Sequence, residues 1–215
     1  MFSSILLRVM HMFRPCVLLL AFVLASLSAH AQSGALEWAE LPPLPNAEGV
    51  AGSFVGVHND ALIVAGGANF PDEPRWETDK VWHADVYALV KRDGGHVWLD
   101  ADPLPSLRAY GAAVSTPGGV LCIGGDDDTN TFADVFLLEW DAEAERIIRT
   151  EYPPLPKPCA YGCAVLVDNN VYLAGGLEGP GLETAMTNFW MLDLAQEDTP
   201  EAFNWVELPP WPGPE

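Results

Sequence analysis

A short apolar run closing in a pair of glycines occurs three times in this chain: ALIVAGG ends at Gly67, VLCIGG at Gly125 and VYLAGG at Gly176. The intervals are 58 and 51 residues, and internal repetition at such a period constrains the fold more than any other feature. About ten residues before each pair lies a second small and apolar run, in the versions GVAGSFVGV, AYGAAV and AYGCAV. Turn-forming residues join the two runs, as in His58-Asn59-Asp60, Thr116-Pro117-Gly118-Gly119 and Asp168-Asn169-Asn170, which is what a β-hairpin requires. After each Gly-Gly come a polar loop of variable length, a third strand (ADVYALV, ADVFLLEW, NFWMLDL) and a fourth (HVWLDA, RIIRTE, FNWVEL). Each unit closes in a proline-rich connector, DPLPSL, YPPLPKP or LPPWPGP. Proline cannot donate to a ladder, so the connectors mark the passage from the outer edge of one unit to the inner strand of the next.

Four strands per unit describe a propeller blade, and no 3.6-residue periodicity of useful length competes with it. A period near 50 fits the kelch type, so the expected fold is all-β: about three blades of a kelch-type β-propeller, over approximately 46–105, 106–156 and 157–210. Residues 32–45, with LEWAELPPLP, read as an orphan outer strand and its connector. Propellers close with about four to eight blades, so the chain is expected to be a fragment of a larger ring with exposed blade edges. Residues 1–31 read as a secretory signal peptide: Arg8 and Arg14 without any acid, an apolar run from Val17 to Leu27, and Ser28-Ala29-His30-Ala31 as the cleavage site. That run is shorter than the ~20 residues a stable membrane span needs, so the mature chain is expected off the membrane.

Without residues 1–31 the chain keeps eight Lys and Arg against 30 Asp and Glu, a net charge of −22. Such a balance argues against nucleic acid and anionic lipid as partners, because phosphate binding needs clustered basic residues. Hydrophobic residues make up 49%, with eight Trp, five Tyr and nine Phe, which is core-forming rather than disordered. Cys122, Cys159 and Cys163 are an odd set that excludes a complete disulfide framework and fits no zinc spacing. Cys122 reads as a small buried hydrophobe, and a Cys122–Cys163 link is not expected. His58, His83 and His96 make no ligand cluster and read as turn or surface residues, and no phosphate loop or G-x-S-x-G elbow is present.

The strings EGVAGSFVGVHNDALIVAGGANFPD, KVWHADVYAL and LPSLRAYGAAVSTPGGVLCIGG resemble the N-acetylneuraminate epimerase family, the periplasmic sialic acid mutarotases. The resemblance is strong over 46–125 and only kelch-level over 126–215. A blade with CAYGCAVLVDNNVYLAGG follows these segments instead of preceding them, an order similar to the cyclically permuted branch; a ring tolerates the shift because its termini meet. The resemblance implies a six-bladed ring that interconverts the α and β anomers of N-acetylneuraminate, a small sugar acid, without cofactor or metal. It also places the main acid or base beyond Glu215, and it leaves the oligomeric state open. A non-catalytic kelch module binding a protein or glycan, and a mutarotase for another sugar, remain as alternatives.

Mutarotation needs one group to take the anomeric proton and another to protonate the ring oxygen, and an acidic sugar also wants a fixed cation. Arg108, in a connector at the expected channel mouth, reads either as the carboxylate ligand or as a structural arginine bonding connector carbonyls. Tyr110 follows it, and Tyr161 repeats the Tyr110 position one blade later. Asn69 and Phe70 follow the first Gly-Gly and point to the same mouth, with Asn69 read as a left-handed turn residue or a ligand. Asp126-Asp127-Asp128 occupies the equivalent loop of the second blade and reads as solvated rather than calcium-binding. Glu178 and Glu183 in the third such loop are the weak candidates for a proton acceptor within the chain. Trp82, Trp98, Trp140, Trp190 and Trp205 read as packing between blades, and Trp76 as a residue able to stack on a pyranose.

Overall fold

The computed structural model describes residues 38–74 and 77–212. The expected signal peptide and Trp76 lie outside the described residues. The first blade is an antiparallel sheet of β1 (Phe54–His58), β2 (Ala61–Ala65), β5 (Val86–Arg92) and β6 (Gly95–Ala101), in that spatial order. Between β2 and β5 the chain folds back on itself as a separate two-stranded arm, β3 (Ala68–Asn69) and β4 (Val81–Trp82). The second blade comprises β7 (Ala112–Thr116), β8 (Gly119–Ile123), β9 (Val135–Asp141) and β10 (Arg146–Tyr152). The third comprises β11 (Cys163–Val167), β12 (Asn170–Ala174), β13 (Phe189–Asp193) and β14 (Val206–Glu207). Single 3-10 turns lie at Leu182–Thr184 and Leu194–Gln196.

Local sequence explains the registers. Asn59 and Asp60 both have positive φ, 46° and 60°, so β1 and β2 meet through a two-residue turn whose twist suits a hairpin, and His58 pairs with Ala61. On β1 the buried residues alternate with exposed ones, whereas every residue of β8 is buried because blades cover both its faces. Residues 38–44, where the orphan outer strand is expected, pair with no ladder. The fourth strand of the third blade is cut to two residues, because the chain leaving β13 passes through the 3-10 turn Leu194–Gln196 and further turns, and pairs again only opposite Trp190 and Met191.

Two hydrophobic clusters fill the interfaces. One joins blades one and two through Phe54, Ile63, Val120, Phe136 and Trp140, with Phe54 and Phe136 edge to face at 5.7 Å. The other joins blades two and three through Leu121, Ile123, Leu137, Leu173 and Trp190. Trp140, Trp190 and Trp205 are buried in these interfaces, as read from the sequence. Repeated side-chain bonds add direction: Trp98 Nε1 donates to the Pro42 carbonyl at 3.1 Å and Trp205 Nε1 to that of Pro153 at 3.0 Å. His58, read as a turn or surface residue, ends β1 at the hairpin turn but is not exposed. It is buried, and its Nδ1 accepts the Trp140 backbone N–H at 3.0 Å, tying the first hairpin to the second blade. Cys122, Cys159 and Cys163 are free thiols; the first two are buried, and burial pushes the Cys159 thiol up to about 11.

The glycine pairs set the step from blade to blade. Gly67 donates to the Arg108 carbonyl at 2.8 Å and Gly125 to that of Cys159 at 2.9 Å, so each pair grips the connector that enters the next blade. Gly66 and Gly124, at φ +64° and +62°, press against those same carbonyls closely enough that a Cβ would have no room.

Candidate functional site

Three positions one blade apart, Gly52, Tyr110 and Tyr161, all adopt left-handed backbone, with φ +68°, +59° and +60°. They are linked around the mouth by backbone bonds: Tyr110 N donates to the Gly52 carbonyl and Tyr161 N to the Tyr110 carbonyl, each at 2.7 Å. Each ring lies back over the preceding position. The Tyr110 ring covers Gly52, where any Cβ would collide with it, and Tyr161 stacks on Tyr110 at 4.7 Å and 19°. An L-residue held left-handed costs roughly 1–2 kcal/mol, a strain that proteins keep mainly where a site requires the geometry.

Around this pair stands a set of polar groups supplied by the loops after the glycine pairs. The β3–β4 arm carries Lys80 and Trp82 toward the tyrosines, and the Lys80 ammonium sits 4.7 Å from the Tyr110 ring centroid, 5.1 Å from Trp82 and 5.9 Å from Phe70. Asp126 follows the second glycine pair directly, and paired backbone bonds with Ala109 (2.8 and 2.9 Å) fix it beside Tyr110. Trp82 Nε1 donates to Asp126 Oδ1 at 3.1 Å, and the Tyr161 hydroxyl interacts with this carboxylate. Lys80, Trp82, Asp126 and Tyr161 line one cleft of about 600 Å³, closed on its far side by Leu177, Pro180 and Leu182 of the third loop.

The electrostatics of the cleft push its groups apart. Burial raises the Asp126 carboxyl above its ordinary range; the Trp82 and Tyr161 hydrogen bonds and the Lys80 charge oppose the rise without cancelling it. Partial burial, then the Asp126 charge, raises the Tyr161 hydroxyl, which therefore keeps its proton. Asp127 goes the other way. Burial would raise it, but hydrogen bonds from the Thr129 and Asn130 backbones outweigh that and hold it low, as a loop-capping carboxylate. Among the described residues no group of three His, Cys, Asp or Glu side chains could hold a metal ion.

Of the residues singled out in the sequence as ligands or acid–base groups, the fold brings Tyr110 and Tyr161 together with Phe70, and leaves Arg108, Asn69, Glu178 and Glu183 apart from them. Arg108 is held structurally, by side chains and not by the connector carbonyls expected of it. Its side chain is only 4% exposed, Nη2 donates to Asp134 Oδ2 at 2.8 Å and to Ser106 Oγ at 3.1 Å, and the guanidinium lies 3.9 Å over the Phe132 ring. Its charge is thus already neutralised inside the second blade and does not face the cleft. Asn69 is neither left-handed nor free for a ligand: it lies in β3, donates to the Gly49 carbonyl at 2.8 Å and bonds His83 Nε2 through its oxygen at 2.9 Å. Glu178 and Glu183 line a different cleft of about 440 Å³ on the outer side of the third loop, where Glu178 pairs with Lys157 at 3.2 Å. A further cleft at the opposite, hairpin end of blades one and two holds Lys91 and His96, with Arg92 paired to Glu145.

Lys80, Trp82 and Asp126 were not read as site residues from the sequence. Lys80 lies in a loop of variable length with no strand signal, Trp82 resembles a packing tryptophan, and Asp126 begins an acidic run that looks solvated. The available signal was positional: Asp126 stands directly behind Gly-Gly, as Ala68 and Leu177 do, and so must approach the next connector.

Comparison with known proteins agrees with this architecture. A solved structure of YjhT superposes over 86% of this chain and 58% of its own, with a TM-score of 0.64 at 16% sequence identity, which shows a shared propeller-type fold. The N-acetylneuraminate epimerase of Brucella suis is 41% identical over 130 residues, covering 53% of this chain and 32% of its own length. Those of Yersinia pestis and Escherichia coli O6:H1 are 35% and 31% identical over 128 and 125 residues, covering 51% and 53% of this chain. The match thus spans about a third of the length of these relatives. The family model described as N-acetylneuraminate epimerase matches residues 25–147, which hold the first blade, its arm and most of the second blade. The chain belongs to the N-acetylneuraminate epimerase family.

Proposed function

We propose that the chain forms part of a periplasmic isomerase that accelerates interconversion of the α and β anomers of N-acetylneuraminate, acting within a larger ring of blades. The observation that carries this reading is the cleft at the mouth, where a cation (Lys80), a carboxylate of raised pKa (Asp126), a protonated phenol (Tyr161) and stacked aromatic faces converge. Opening a sugar hemiketal requires proton transfer at two oxygens on one carbon, and a carboxyl poised above its ordinary range is suited to both halves of that transfer. Aromatic faces suit the apolar side of a pyranose, and a cation suits an acidic one. The family relatives are named for this epimerase activity. The basic, apolar and small-residue pattern of residues 1–31 supports export.

The test is saturation-transfer NMR of anomer exchange with the natural full-length protein freed of residues 1–31. Acceleration of N-acetylneuraminate exchange well above buffer supports the reading; a folded protein that leaves the exchange rate at its buffer value overturns it.

A further inference from the structure

The cation expected from the sequence, Arg108, is neutralised by Asp134, which raises the question of what would meet an acidic sugar in the cleft. Lys80 answers it. Three aromatic rings surround its ammonium within 6 Å, and among the described residues no carboxylate lies within ion-pair distance of it. Aromatic faces attract a cation without neutralising it, so Lys80 presents a full positive charge to the cleft that it lines. Beside it, Asp126 accepts a hydrogen bond from Trp82 Nε1 and interacts with the Tyr161 hydroxyl. An ionised carboxylate has about four acceptor positions, so room remains for a hydroxyl of a ligand. One indole sets the spacing between the two groups: the Trp82 ring supports the Lys80 ammonium at 5.1 Å while its N–H holds Asp126 at 3.1 Å.

A cation and a proton acceptor fixed one indole apart match a particular sugar chemistry. In a 2-ulosonic acid the carboxylate and the anomeric hydroxyl sit on the same carbon, so a group that binds the first places the second against its neighbour. In a hexuronic acid the carboxylate and the anomeric hydroxyl lie on opposite sides of the ring oxygen, and a neutral hexosamine has no carboxylate at all. We infer that Lys80 binds the carboxylate of a sugar acid carrying that group on its anomeric carbon, and that Asp126, rather than a group beyond Glu215 as the family resemblance implies, moves the anomeric proton; this rests on the mutarotase reading above.

The step balances without any co-reactant. Asp126 takes the proton of the anomeric hydroxyl as the bond from the anomeric carbon to the ring oxygen breaks and the hydroxyl oxygen becomes the ketone oxygen. The same proton passes from Asp126 to the ring oxygen. The open keto acid turns its carbonyl face, and the reverse sequence closes the ring on the other side. Tyr161 keeps its proton throughout, and the Trp82 N–H holds the carboxyl in place.

The experiment compares N-acetylneuraminate, its methyl ester and glucuronate as substrates for anomer exchange by the natural full-length protein and by Lys80→Met, Lys80→Arg and Asp126→Asn. The wild type is expected to favour the acid over the ester by about tenfold or more, the scale of one charge-assisted contact. Lys80→Met should remove that preference by slowing the acid about tenfold while leaving the ester within about twofold, and Lys80→Arg should restore it. Asp126→Asn should slow acid and ester alike by about a hundredfold or more, the scale of a lost general base, with near-ultraviolet circular dichroism unchanged. An active wild type whose preference survives Lys80→Met, or whose rate survives Asp126→Asn, overturns this inference and leaves the mutarotase reading standing. Equal acceleration of glucuronate also overturns it. A wild type that accelerates none of the three overturns both.

Discussion

Two basic residues of similar appearance in the sequence have opposite fates, and their surroundings decide which. Arg108 is buried against Phe132 and Phe136 and bonded to an Asp134 that is itself 55% exposed. Removing either partner is therefore not equivalent. Asp134→Ala leaves a buried guanidinium without its counter-charge and should cost about 3 kcal/mol, whereas Arg108→Met keeps most of the apolar stem contact, lets Asp134 hydrate, and should cost nearer about 1 kcal/mol. Urea unfolding of the two variants checks this order. Neither partner was visible to the other in the sequence: Asp134 lies 26 residues on, in the loop just before β9, and only the blade geometry brings them together. Lys80 was equally hidden, because the two-residue strands that aim it carry no periodicity to read. Asp126 supports a pH prediction. Its pKa is raised by burial first, so the fold favours its protonated form; the stability linked to it is whole below the ordinary carboxylate range and is lost as pH rises through the raised value. Asp126→Asn keeps an acceptor for Trp82 and cannot ionise. It should melt at or above the wild-type temperature near pH 7, with the difference vanishing at about pH 3, as scanning calorimetry at the two pH values will show.

The glycine pairs, legible from the start as a repeat, turn out to be joints between elements rather than features of single strands. Gly124 has φ +62°, and a Cβ there would drive into the Cys159 carbonyl that enters the third blade, so Gly124→Ala must both strain the backbone and push two blades apart. Gly94, in the β5–β6 turn, also has positive φ, +88°, but nothing lies within 4 Å of its would-be Cβ. Gly94→Ala should cost about 1–2 kcal/mol, the left-handed penalty alone, and Gly124→Ala about 4 kcal/mol or more, the range reached only by clash or strain in a core. Thermal melts of the pair separate backbone strain from steric conflict. At this scale the hairpins, strand order and connectors were readable because each has its own local chemistry: turn residues, alternating burial, prolines. The β3–β4 arm was not, since it is held by contacts to β1's approach and the next connector rather than by its own sequence; Ala68 bonds Ala51, and the His83 carbonyl receives the Arg108 N–H. The site rides on that arm, which is why the propeller was legible while half of the site was not.

Across the whole molecule the dominant electrostatic fact is 30 acidic against 10 basic residues, a formal net charge of −20. Two effects of salt compete. Exposed ion pairs such as Arg149–Glu151 and Lys157–Glu178 weaken on screening, but such pairs contribute about 0–1 kcal/mol each and few of them exist here. Self-repulsion among twenty excess negative charges is long-ranged and is screened at the same time, since the Debye length falls from about 30 Å at 0.01 M to about 8 Å at 0.15 M. The repulsion involves many more charge pairs, so it should win, and the urea midpoint of the folded chain should rise between those two salt concentrations. A midpoint that falls would mean that the local pairs outweigh the net field. On the proposed mutarotase reading, the same balance acts on an anionic sugar approaching the cleft. Remote carboxylates repel it over distances that salt screens, while Lys80, caged by Phe70, Trp82 and Tyr110, acts at contact, well inside the Debye length. The KM for N-acetylneuraminate should therefore hold or fall as salt rises from about 0.01 to about 0.15 M, and that for its methyl ester should not change. A KM that climbs steeply for the acid alone would show that attraction at a distance, and not a contact ion pair in an acidic field, governs how the sugar binds.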